Sequence, residues 1–97
     1  MSRKRIERQL AELGERLRAL REEAAITAEH LSQVATEADD ARLRALVADT
    51  PLARSEDTDA RRSADTLTRH HDRVLAKVAE LEARQDQLLD ELTALHG

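Results

Sequence analysis

IERQLAELGERLRALREEA, residues 6–24, and VLAKVAELEARQDQLLDELTAL, residues 74–95, decide the fold. In the first stretch Ile6, Leu10, Leu13, Leu17, Leu20 and Ala24 recur at alternating steps of four and three. In the second, Val74, Val78, Leu81, Gln85, Leu88, Leu92 and Leu95 keep the same rhythm. Residues three and four apart share one stripe of an α-helix, and a stripe kept up for several heptads is the a/d seam of a coiled coil. The first ladder continues through Thr27, Leu31, Val34, Ala38, Ala41, Ala45 and Ala48. The second reaches back through His71, Leu67 and Ala64 to Ala60.

Between the ladders lies the only proline, Pro51. Its ring forbids an unbroken helix and biases Thr50 away from α geometry. The expected fold is therefore all-α: one domain, a long antiparallel two-helix coiled-coil hairpin. Helix 1 is expected over about residues 2–49 with Ser2 as N-cap, the turn over about 50–57, and helix 2 over about 58–96 with Gly97 at C′. Ser55 or Thr58 can cap helix 2, but Thr50-Pro51 also reads as an N-cap followed by N1. The longer turn pairs residues whose numbers sum to 105, placing Leu10 opposite Leu95 and Leu17 opposite Leu88. We expect this register, for flush ends and a short ordered loop. A tight turn at Thr50 shifts the sum by one heptad, to 98.

Composition narrows the class. There is no Phe, Tyr or Trp, which argues against a rounded globular core. Leu, Ile and Val make up 21 of 97 residues, close to the level at which chains stay disordered, so strict periodicity is what argues for folding. Without cysteine, disulfides, thiolate zinc sites and thiol nucleophiles are excluded. No apolar run suits a signal peptide or a membrane span, so the expected location is cytoplasmic. The net charge is −4, and residues 37–59 carry all of that excess, with seven carboxylates against three arginines. An acidic tip is expected from Asp49, Glu56, Asp57 and Asp59.

The seam changes texture along the chain, from leucine near the two termini to alanine near the turn. Less apolar area is then buried at the tip, which should fray first. Thr27, His71 and Gln85 interrupt the seam. Polar a/d residues set register and partner number at some cost in stability. Leu43, Leu46, Val47 and Leu52 fall off the ladder near the tip, and Ile26, Leu75 and Leu89 form a sparser stripe. A lone hairpin leaves these exposed, so the expected partner is a second copy, completing a four-helix bundle as a homodimer, or another protein.

Catalytic signals are missing. Adjacent His70 and His71 diverge by about 100° on a helix and do not share one metal. His30 and His96 have no histidine at the four-residue spacing that helical metal sites use. Carboxylate pairs such as Glu22-Glu23 and Asp39-Asp40 read as solvated, salt-bridged faces. No Ser–His–Asp arrangement or glycine-rich phosphate loop is present, so no enzyme, cofactor or metal site is expected. Negative net charge and the lack of stacking aromatics also argue against nucleic acid.

Two resemblances follow from these residues. A hairpin tipped by Asp49, Glu56, Asp57 and Asp59 resembles, in shape, the coiled-coil fingers of transcription factors that enter the secondary channel of RNA polymerase. There, tip carboxylates act near the polymerase magnesium. These 97 residues hold neither a globular domain nor a cysteine zinc site such as those families have, and Glu56-Asp57-Thr58-Asp59-Ala60 differs from their tip motifs. The Glu-x3-Ser motif by which small hairpin anti-sigma proteins bind cyclic di-GMP is also absent. Glu37-Ala-Asp-Asp-Ala-Arg-Leu-Arg-Ala-Leu-Val-Ala-Asp-Thr-Pro-Leu-Ala53 and Leu81-Glu-Ala-Arg-Gln-Asp-Gln-Leu-Leu89 resemble small coiled-coil hairpin proteins of actinobacteria, over most of the chain and with no activity implied. The function expected is a non-enzymatic protein–protein interaction module, scaffold or adaptor. The alternative is a transcription regulator that engages RNA polymerase or a sigma factor through the acidic tip.

Overall fold

The structure, a computed structural model, describes residues 2–96. It consists of α1 (Arg3–Ala48) and α2 (Pro51–His96), each of 46 residues, in an antiparallel helical hairpin. Both helices start as side-chain capping demands. The Arg5 backbone N–H donates to Ser2 Oγ at 3.3 Å, and the Ile6 N–H donates to the Ser2 carbonyl at 3.0 Å. The first bond satisfies an amide that a helix start would otherwise leave without a partner, and the second is the first regular rung of the helix. Gly97, expected at C′, lies outside the described residues.

The turn is shorter than expected. It comprises Asp49 and Thr50, not residues 50–57, and α2 begins at Pro51, not at 58. Asp49 adopts the left-handed region, φ 46°, and its N–H donates to the Ala45 carbonyl at 3.0 Å. That bond makes an αL cap, which aspartate accepts better than most side chains. Thr50 then caps α2: the Ala53 N–H donates to Thr50 Oγ1 at 3.2 Å and the Arg54 N–H to the Thr50 carbonyl at 3.0 Å. Pro51 occupies N1, where its missing N–H removes no helical bond. Thr58 lies inside α2, its hydroxyl donating back to the Arg54 carbonyl at 3.1 Å, and Ser55 is likewise helical.

A two-residue turn also decides the register. It pairs residue numbers that sum to 98, not 105. The reversal at Asp49-Thr50 sets Ala45 opposite Ala53, and both are buried. Leu17, Val78 and Leu81 form one buried cluster, with Leu13 and Leu20 packed against it. At 98, Leu17 lies opposite Leu81 and Leu20 opposite Val78; at 105 the leucine opposite Leu17 would be Leu88. Leu10 therefore pairs in register with Leu88, and Leu95 is 55% exposed. Flush ends belong to 98, not to 105, because 98 aligns Ser2 with His96.

The chain forms two compact units. The first joins residues 2–24 to 73–96, and Ile6, Leu17 and Leu88 are fully buried in it. Arg21 and Glu82 pair across its helices at 3.3 Å; both are about half-exposed, so solvent screening leaves this bridge little energetic weight. The second unit is Ala25–Asp72. Its seam buries Thr27, Ala38, Ala41, Ala45 and Ala53, while Leu31, Val34, Ala64 and Leu67 are half-buried. Among the described residues, no helix is long and apolar enough to cross a membrane.

Candidate interaction surface

The heptad places Leu43, Leu46 and Val47 at f, b and c, the positions facing away from the seam. They are 57%, 71% and 88% exposed, and Leu52, at c of α2, is 69% exposed. All four belong to the Ala25–Asp72 unit, near the turn. Leu43 and Val47 are four residues apart and so are neighbours on α1. With Ala48, Leu52 and Ala53 they line an open apolar groove of about 430 Å³. Leu46 lies beside the groove on the outer face of α1 and does not line it.

The rims of this groove are charged. Arg44 on α1 and Glu56 on α2, both at g positions and both exposed, flank the apolar floor. Neither belongs to an ion pair among the described residues. Arg44 escaped the sequence reading because a lone arginine on a highly charged helix carries no signal. Its placement across from Glu56 comes only from the two-residue turn.

The four carboxylates expected to form an acidic tip do not behave alike. Asp49 is 82% exposed at its side chain, but Arg54 Nη1 holds its Oδ1 at 2.6 Å. Glu56 and Asp59 are exposed. Asp57 is not displayed: its side chain is only 16% exposed, and it occupies the seam in register opposite Ala41. Its Oδ1 is buried without a hydrogen bond, the nearest cation being Arg61 Nε at 3.4 Å. The cause is the early start of α2, which carries the heptad back from Ala60 through Asp57 to Ala53. Stepping back three and then four from Ala60 would have found both positions. A carboxylate on a seam position hides the heptad in the sequence, because the apolar ladder stops at Ala60.

The polar seam residues separate into two settings. Thr27, 7% exposed, and half-buried His71 lie opposite each other at sum 98, in the Ala25–Asp72 unit. His71 Nδ1 is buried and makes no hydrogen bond. Gln85, half-buried, belongs to the other unit, in register with Leu13. Among the described residues, no three His, Asp or Glu side chains come together as metal ligands would. A smaller groove of about 250 Å³ in the leucine-rich unit is lined by Gln9, Glu12, Leu13, Arg16, Arg84 and Leu88, and is half polar in character. Compared with protein-family models, with curated proteins and with solved structures, the chain matches none.

Proposed function

We propose that the chain is a non-enzymatic protein–protein interaction module, a coiled-coil hairpin that presents the apolar surface of Leu43, Leu46, Val47 and Leu52 to a partner. The observation that carries this reading is the exposure of those four side chains, between 57% and 88%, with Leu43, Val47 and Leu52 lining one apolar groove and Leu46 beside it. Large apolar residues scattered singly over a surface need no explanation, but four clustered at one end of a small chain do. Their burial against a partner removes from water an area that the alanine seam beneath them cannot cover.

Circular dichroism together with an association measurement tests the proposal. Leu46→Asp and Val47→Asp are expected to retain the helicity of the wild type, because both sites face away from the seam. Each is expected to weaken association, with itself or with a partner protein from the host, by at least about tenfold. Unchanged association in both variants would defeat the proposal. The alternative reading, a transcription regulator acting through tip carboxylates, rests on Glu56 and Asp59. Asp49 is already engaged by Arg54, and Asp57 is turned into the seam.

A further inference from the structure

We propose that the occupant of the apolar groove near the turn is a second copy of this chain, seated about a two-fold axis parallel to the helices, with the two turns pointing the same way. This rests on the reading of the groove as the contact surface. Charge placement selects the occupant. The groove carries one cation, Arg44, on α1 and one anion, Glu56, on α2, and neither has an ion-pair partner within the described chain. They stand at nearly matching distances from the turn, Arg44 five residues before Asp49 and Glu56 six after Thr50. Val47 and Leu52 stand at equal distances, each two residues from the turn.

A two-fold contact sets the same surface against itself. Only two choices of axis bring this groove onto its own copy with the helices aligned. An axis running across the helices lays α1 on α1, so Arg44 meets Arg44, Glu56 meets Glu56, and like charges repel. An axis running along the helices lays α1 of each copy on α2 of the other. Arg44 then meets Glu56 twice, and Val47 meets Leu52 twice. Opposite charges at the rim choose the second orientation and penalise the first. Every neighbouring pair of helices near the turns is then antiparallel, the arrangement of an up-down four-helix bundle.

Sedimentation of the 97-residue chain, with circular dichroism as the folding control, tests this. The wild type is expected to sediment at twice 10.9 kDa at micromolar concentration. Arg44→Glu and Glu56→Arg, both at exposed sites, should each weaken the dimer about tenfold, because each reverses two contacts at once. An equimolar mixture of the Arg44→Glu chain and the Glu56→Arg chain should recover the dimer that each alone forms more weakly, since each reversed charge then faces its opposite. The chain carrying both changes should recover as well.

A single 10.9 kDa species at concentrations up to roughly 100 μM would overturn docking of a second copy. It would leave the contact-surface proposal to the Val47→Asp comparison with other proteins. A dimer broken by Val47→Asp whose charge variants fail to recover on mixing would overturn the two-fold arrangement and keep the surface. A dimer indifferent to all of these changes would overturn both.

Discussion

The two compact units follow one heptad rhythm and pair with one register, yet they use their apolar residues in opposite ways. In the unit built from residues 2–24 and 73–96, ten of thirteen Leu, Ile and Val side chains are buried or half-buried, and three are exposed. In Ala25–Asp72, five of the eight are exposed: Ile26, Leu43, Leu46, Val47 and Leu52. The first unit spends its large side chains on closing its own seam. The second closes much of its seam with alanine and holds most of its large side chains outside. A stripe of alanine favours the helical backbone but removes little area from water, so it holds two helices together weakly. The difference teaches that regular helical patterning and a self-sufficient core are separate properties, and that the unit with the weaker core is the one with apolar surface left to share.

The largest expected effect that probes this contrast is truncation on each side of it. Leu17, 1% exposed in the leucine cluster, should cost about 3 kcal/mol when replaced by alanine, from lost transfer energy and the cavity left behind. Leu43→Ala, at a 57% exposed site, should change the stability of the dilute chain by less than about 0.5 kcal/mol. Denaturant midpoints compare the two, and equal losses would break the distinction between the units. Next in size is local opening. Amides around the turn, over about 38–60, should exchange at least about tenfold faster than those around Leu17 and Leu81. A better-protected turn region would mean that the alanine seam is stronger than its buried area implies.

Asp57 offers the smallest and sharpest probe. It puts a carboxylate on a seam otherwise made of alanine there, 16% exposed and served only by Arg61 at 3.4 Å. Asp57→Ala removes a poorly satisfied buried oxygen and adds a better helix former. It should raise stability by about 1 kcal/mol and narrow the gap in exchange between the units. A loss of stability would show that the Asp57–Arg61 pair holds the turn end together instead of weakening it.

Much of this was legible residue by residue. Ser2 as N-cap, the two ladders, the off-seam position of Leu43, Leu46, Val47 and Leu52, and the polar seam positions Thr27, His71 and Gln85 all stand where local pattern put them. Capping and helical periodicity are short-range effects, acting over three or four residues, so sequence carries them openly. The turn was legible only as a choice. Thr50-Pro51 spelled a helix start, but so did the acidic run after Ser55, and both obey the same capping rules. The groove was not legible, because Arg44 and Glu56 come to face each other only after the turn is known.

What the sequence determined by itself is therefore the hairpin: two heptad seams interrupted once, by a residue that cannot continue a helix. What only the tertiary structure decided is the register of those seams. A slip of one heptad leaves every a and d residue on the seam, so apolar patterning cannot tell 98 from 105. The choice falls to Asp49 in the left-handed region and Thr50 capping Pro51, which reverse the chain in two residues. That reversal carries Asp57 into the seam and sets Arg44 across a groove from Glu56.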